Sequence, residues 1–236
     1  MAQLFRTLQQ AKHSKINVED EARAALLKLW SEDPWEWLTG QDIDGRPIIW
    51  TRDERDEKEP AKAFPRDKPY LRRLVQRALE PEPLFVNKAR QMIVSTTLML
   101  LADWIARFHD NRNILVSKQK EGESETLIRE KLRSVHTRMP QWLSEASPAS
   151  RTPANMITYY NTQSTLRGVA QNFAIGEARG TTASVVLIDE AAFQEYTGQI
   201  IDAVMAMSSR LWVVTTPRVS GAGAHVFRKM IGEAAR

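Results

Sequence analysis

Two adjacent carboxylates, Asp189 and Glu190, follow directly on the apolar run Val185-Val-Leu-Ile188. That run is too short for a buried helix and lacks polar alternation, the pattern of a strand covered on both faces of a parallel sheet. A parallel strand would deliver the pair to the sheet's carboxyl edge, where α/β folds bind ligands. A core strand followed by a solvated acidic turn accounts for the same residues equally well. In the chemical reading the arrangement is typical of a Walker B motif. Asp189 would then hold a magnesium ion and Glu190 would orient or deprotonate an attacking water. A phosphate loop should lie upstream, and a further strand should sense the product.

The segment Asn87-Lys-Ala-Arg-Gln-Met-Ile-Val94 stands where such a loop belongs. It separates the apolar Leu84-Phe-Val86, the first core strand by position, from Ser95 to about Phe108, a stretch apolar nearly all round and expected to be a buried helix. An orthodox phosphate loop reads Gly-x4-Gly-Lys-Ser/Thr, its glycines letting backbone amides wrap the phosphates. Aligning Ser95 with the magnesium-binding hydroxyl puts Lys88 at the first glycine, Ile93 at the second and Val94 at the lysine, so that pattern fails. A β-branched Ile93 does not readily adopt the positive φ that glycine permits. Either the loop follows a different path or nucleotide affinity is low in this state; with the carboxylate pair intact, the different path is the expectation.

The other elements alternate. A helix is expected from Asn17 to about Trp30, stopped by Asp33-Pro-Trp-Glu-Trp-Leu-Thr-Gly40, whose tryptophans would plug this arm onto the main body. Arg52 to Glu59 is a mixed charge run, a solvated loop. A helix over about 71–79, a strand at Asn113–Ser117 and a helix over about 124–138 follow, with a strand over 154–160 and short strands and turns to Gly180. A helix near 198–207 and the strand Arg210-Leu-Trp-Val-Val-Thr-Thr216 complete the set, the latter ending in hydroxyls. The fold class expected is α/β, a mostly parallel central sheet with helices on both faces plus a small helical N-terminal arm. The division expected is 1–60 for the arm and loop and 61–236 for the sheet domain.

Bulk properties narrow the chemistry. The 236 residues carry no cysteine, which excludes a disulfide framework, a thiol nucleophile and a thiolate metal site. Four histidines are scattered without ligand-like spacing. The longest apolar stretch, around Thr97–Ile105, is broken by Asp103, and the residues Met1-Ala-Gln-Leu-Phe-Arg6 lack the apolar core and small-residue cleavage site of a secretory signal. A net charge of +4 tolerates a polyanionic partner without demanding one.

Several strings together resemble one family. Lys88-Ala-Arg-Gln-Met-Ile-Val-Ser-Thr96 is similar to the deviant Walker A of large terminase subunits, the ATP-driven motors that package DNA in tailed bacteriophages. Asp33-Pro-Trp-x-Trp-Leu-Thr, Phe64-Pro-x-Asp-Lys-Pro-Tyr-Leu, Arg179-Gly-x-Thr-Ala-Ser, Asp189-Glu-Ala-Ala-Phe and Thr215-Thr-Pro217 occur in the family's order, over roughly residues 33–230. The resemblance implies a P-loop NTPase of the RecA/ASCE type. Lys88 would contact phosphate from the start of the loop, Arg90 would act in cis on the phosphates, and Gln91 would help hold nucleotide. The whole loop, Ala89, Met92, Ile93 and Val94 included, would be nucleotide-binding, with Tyr70 or Phe64 a candidate neighbour of the adenine, although packing is the better account of either one. Ser95, with Thr96, would complete Mg²⁺ coordination with Asp189. Glu190 would be the catalytic carboxylate, and Thr215, Thr216 and Pro217 would match the coupling motif. Arg179 stands where some terminases supply an arginine to a neighbouring subunit's ATP, a contribution of order 10³ to 10⁵ in rate. Arg167 is its rival, and a structural ion pair explains Arg179 equally well.

The resemblance further implies ATP and Mg²⁺ as cofactors, double-stranded DNA, portal protein and small terminase subunit as partners, and a homo-oligomeric ring on the procapsid, the isolated domain being monomeric. The location implied is the host cytoplasm, away from membranes. Full terminases continue into a nuclease domain. No carboxylate cluster follows Gly221-Ala-Gly-Ala-His-Val-Phe227, so an isolated ATPase domain without nuclease activity is expected. Two other readings stay open: a superfamily 2 helicase fragment, which would keep Gly-Lys-Thr and need a second motor domain, and a catalytically silent P-loop module that binds DNA or assists assembly.

Overall fold

The structure is a computed structural model that describes residues 18–52, 56–150, 152–172, 174, 176, 183–205 and 210–234. It divides into two units, Met1–Arg66 and Asp67–Arg236.

In the first unit, helix α1 covers residues 18–32. Asp33 does more than stop it. Its carboxylate accepts from the amides of Trp35 (2.8 Å) and Glu36 (3.2 Å), capping a second short helix, α2 (Pro34–Thr39), with proline at the start where its missing N–H costs nothing. Trp37 packs edge-on against Trp30 (5.7 Å between ring centroids) and Trp35 against Phe64 (6.0 Å). Strands β1 (Trp50–Arg52) and β2 (Ala61–Ala63) pair antiparallel, which keeps residues 61–66 with this unit.

The second unit is built on one sheet. Strands β3 (Leu84–Asn87), β4 (Asn113–Lys118), β5 (Met156–Tyr159), β6 (Ser164–Ala170), β7 (Val185–Asp189) and β8 (Arg210–Thr215) lie in the order β3-β8-β7-β4-β6-β5. All neighbours are parallel except β5 and β6. Every residue of β7 is buried, as its unbroken apolar run requires.

Helices cover both faces. Leu115, Val186, Ile188, Leu211 and Val213 point to a core shared with α8 (Thr197–Met205) and α9 (Ala222–Ala234), through Ile200, Ile201, Val204 and Phe227. On the opposite face, the Trp212 indole donates to Ala78 O (2.8 Å) at the end of α3 (Pro69–Ala78). That face also carries α4 (Val94–Phe108) and α5 (Glu121–Ile128). The α5 helix runs on through a π-helical turn (Arg129–Arg133) into α6 (Ser134–His136), followed by α7 (Gln141–Ala146). A buried polar cluster joins α4, α6 and β5. Tyr159 donates to Asp103 Oδ1 (2.5 Å), His136 Nε2 lies 3.0 Å from the same oxygen, and Arg107 donates to the Tyr159 hydroxyl (2.9 Å).

Some elements depart from the sequence reading. The strand at Leu84 is an edge strand, partly exposed, because β8 comes between it and β7. The polar stretch after Thr162 holds a seven-residue strand, β6. Gly168 sits there because a Cβ would lie 2.9 Å from the Ser124 side chain of α5. Helices α7 and α9 were not expected. Among the described residues, no helix is long and apolar enough to cross a membrane.

Candidate nucleotide and metal site

Parallel register brings four strand ends to one edge. Asp189 pairs with Val214 and Asn87 with Thr215, so the ends of β3, β7 and β8 lie side by side, with the end of β4 next to β7. The loop at residues 88–93 leaves β3 at this edge, and the Lys88 amide donates to Thr215 O (3.0 Å).

The loop does not avoid the conformation that Ile93 disfavours. Gln91 (φ 62°) and Ile93 (φ 47°, ψ 15°) are both left-handed, so the expected different path is wrong at this point. A non-glycine residue there costs about 1–2 kcal/mol. The first turn of α4 offsets it: Ile93 O accepts from the Thr97 amide (2.8 Å) and the Thr97 hydroxyl (2.9 Å). Ile93 caps the helix without a side-chain bond, so the first amides of α4 stay open toward the edge, carrying the positive end of the helix dipole.

The hydroxyl of Ser95, one residue into that helix, donates to Asp189 Oδ1 at 2.6 Å. Segments 94 residues apart in sequence thus meet as the chemical reading requires. Ser95 is the hydroxyl that reaches the carboxylate; Thr96 is buried. The second oxygen, Asp189 Oδ2, faces Lys118 Nζ at 2.9 Å, and the same ammonium donates to Glu190 Oε2 at 2.9 Å. Burial works against the Lys118 charge, but Asp189 foremost and then Glu190 more than offset it and hold its pKa above the usual lysine value. Asp189 is nearly inaccessible, whereas about half of the Glu190 side chain is open to solvent. Glu190 is itself left-handed (φ 58°), a strained backbone that turns its carboxylate off the strand axis.

Behind the carboxylates, Gln194 ties two strand ends together. Its amide donates to Asp189 O (2.7 Å) and Ser117 O (3.1 Å), while its oxygen accepts from the Ser117 hydroxyl (2.9 Å). Thr215 Oγ1 accepts from the Ala192 amide (3.1 Å), so the expected coupling threonine is hydrogen-bonded to the turn after Glu190. Thr216 is half-buried, and Pro217 is exposed beyond the strand. The same turn lies against α9 so closely that a Cβ on Gly223 would fall 2.3 Å from both Ala191 O and Gln194 O.

A cavity of about 440 Å³ opens beside the loop, lined by Tyr70, Arg73, Leu74, Val86, Lys88 and Met92 among others. The Tyr70 hydroxyl donates to Met92 O (3.3 Å). Lys88 is half-buried on the cavity wall, while Ala89, Arg90 and Gln91 are exposed at the loop's tip. Arg179 lies outside the described residues. Arg167 sits in the middle of β6, paired with Leu115, short of the edge where Lys118 and Asp189 end their strands.

By sequence alone the chain matches no protein-family model and no curated protein. By structure it is similar to the large terminase of bacteriophage HK97, with a TM-score of 0.56 at 10% identity over 75% of this chain and 39% of that one. The large terminase ATPase domain of Thermus phage P74-26 superimposes with a TM-score of 0.50 at 14% identity, over 65% of this chain and 66% of that one. The fold is that of a phage large terminase ATPase domain. A large terminase from a thermophilic bacteriophage, solved in complex with ADP, also matches, with a TM-score of 0.42 at 13% identity over 62% of this chain and 38% of that one.

Within this terminase-type fold the sheet edge brings together Lys88, Ser95, Asp189, Glu190 and Thr215. Lys118, Gln194 and Gly223 are the site residues that sequence reasoning missed. A signal existed for Lys118 alone. A charged residue closing the buried run Ile114-Leu-Val-Ser117 is delivered to the same edge as Asp189.

Proposed function

We propose that the second unit is an ATP-hydrolysing motor domain of the packaging type. The observation that carries this reading is the 2.6 Å bond from Ser95, at the mouth of α4, to Asp189 at the end of β7. Those two groups form the minimal donor set for Mg²⁺, which takes one or two protein oxygens and fills its shell with phosphate oxygens and water. The described residues hold no group of three or more acidic or histidine side chains, and such a site needs none. That Asp189 Oδ2 already faces an ammonium supports the fit, because the position accepts a cation.

Ser95 and Asp189 would hold Mg²⁺, which when bound would supply charge neutralisation for the transferred group. The chain's own groups do the rest. The open amides of α4 face the phosphates, favoured by the helix dipole. Lys88 on the cavity wall and Arg90 at the loop's tip would supply positive charge to phosphate oxygens. The 440 Å³ cavity behind Lys88 takes the base, with Tyr70 and Leu74 against its faces. Glu190, on the solvent side of Asp189, accepts the proton of the water that attacks in line. Thr215 touches the turn that carries Glu190 and so senses the change when phosphate leaves.

The work done would be translocation of double-stranded DNA by a ring of subunits, with portal protein and small terminase subunit as partners. The silent-module alternative drew its support from Ile93 and Val94; a left-handed Ile93 removes the first objection, and Val94 in place of the lysine still stands on that side. Equilibrium titration with MgATP tests the reading. The wild-type chain should bind, and Lys88→Ala should weaken binding by about tenfold or more, the loss of one charge-assisted contact to phosphate. Absence of Mg²⁺-dependent binding at millimolar ATP would leave the silent module as the better account.

A further inference from the structure

Lys118, at the carboxylate pair, is a cation that no part of the mechanism above uses. Its side chain is about 10% exposed and its ammonium stands 2.9 Å from a carboxylate oxygen of each of the two acidic residues. With Ser95 on Oδ1 and Lys118 on Oδ2, both oxygens of Asp189 are engaged. Each oxygen keeps a free lone pair, but the ammonium 2.9 Å from Oδ2 competes with a divalent ion for the charge and the space beside Asp189. The serine is fixed on the first turn of α4. The lysine is a compact charge on a four-carbon stem, rooted at the last residue of β4, and Glu190 beside it is half in solvent and free to follow.

We propose that Lys118 is a positioning residue that holds the cation position between Asp189 and Glu190 before nucleotide arrives, yields Asp189 to the divalent ion brought with the nucleotide, and keeps its bond to Glu190. The exchange has two consequences. Without nucleotide the site does not collect free divalent ions, because an internal charge already sits there. With nucleotide, Lys118 stays on Glu190 and steers that carboxylate toward the water, so the base is set only once the metal has displaced the ammonium from its neighbour. This inference rests on the reading of the edge as a Mg²⁺–nucleotide site.

The test uses the full chain without nucleotide and Mn²⁺ as the probe, followed by electron paramagnetic resonance. In Lys118→Met, of similar length without the charge, Mn²⁺ should bind at least about tenfold more tightly than in wild type, within the range that groups flanking a metal ligand exert. Lys118→Arg should stay near wild type. A folded Lys118→Met with unchanged or weaker Mn²⁺ affinity overturns the proposal, because a merely structural lysine would not guard the position. Should Lys118→Met fail to fold alone, refolding with Mn²⁺ decides: recovery of the native circular dichroism supports the exchange and no recovery contradicts it. ATP hydrolysis with unchanged Mn²⁺ affinity would sink this inference and spare the functional reading; tighter Mn²⁺ binding without hydrolysis would do the reverse.

Discussion

At the residue scale the loop after β3 trades glycine for strain. Gln91, Ile93 and Glu190 all hold positive φ without being glycine, and all three flank the same site. Such residues persist when their surroundings over-determine them. For Ile93 the surroundings are the two bonds from Thr97 that close the first turn of α4. The backbone conformation, not the branched side chain, is then what the position supplies. Ile93→Gly should keep MgATP affinity within about threefold, since glycine reaches this φ freely. A loss beyond about tenfold in a calorimetric titration would show that the side chain itself matters. The orthodox glycine pattern fails in this chain although Gln91 and Ile93 hold the positive φ that glycine permits, which is why the loop could be placed but its path could not be read.

At the element scale, legibility followed burial. The β7 strand and the α4 helix were readable because each is buried along nearly its whole length, β7 as an unbroken apolar run and α4 with apolar residues on every face. The β6 strand was not, since Gly168 and its polar neighbours read as turns until α5 is seen lying on them. Helix α9 was hidden by Gly221 and Gly223, the second of which exists to let α9 touch the turn after Glu190. Gly223→Ala should therefore overpack that contact and cost about 1–3 kcal/mol in urea denaturation. A neutral result would mean that α9 is free to shift.

The buried cluster of α4, α6 and β5 carries a pH signature. Burial pushes the Asp103 carboxyl up, but the charges of His136 and Arg107 and the bonds from His136 and Tyr159 more than reverse this, to about 2 against an ordinary 3.8. A depressed carboxylate pKa adds stability above about pH 4 that is lost as pH falls toward 2, here roughly 2 kcal/mol. Asp103→Asn should remove that acid limb. It should also lower stability at pH 7 by about 3–5 kcal/mol, because Arg107 stays buried without its carboxylate. Denaturation curves at pH 7 and pH 3 read both effects, and a variant whose acid limb persists would move the signature to another group.

At the scale of the whole molecule, the class of fold was legible from alternating strands and helices, and the family likeness from an ordered set of short strings. The HK97 and P74-26 similarities, at 10% and 14% identity, bear out the fold. The chain spans 39% of the HK97 large terminase and 66% of the P74-26 ATPase domain. Ring assembly belongs to the proposal, and the trans-acting arginine is an expectation from the family resemblance, with Arg179 and Arg167 as its candidates. If Arg179 serves a neighbour's ATP, then Arg179→Ala and Glu190→Gln subunits, each inactive alone, should partly restore hydrolysis when mixed on procapsids; no recovery at any ratio would count against Arg179.

The central claim is that Asp189 and Glu190 divide the labour of a hydrolytic site, one holding the metal and the other the water. Single-turnover hydrolysis of MgATP by wild type and Glu190→Gln tests it most directly, with ATP binding measured on the same samples. The account predicts that turnover falls by about 10²- to 10⁴-fold, the usual contribution of a general base, while binding is spared. A Glu190→Gln protein that hydrolyses ATP at the wild-type rate would contradict it.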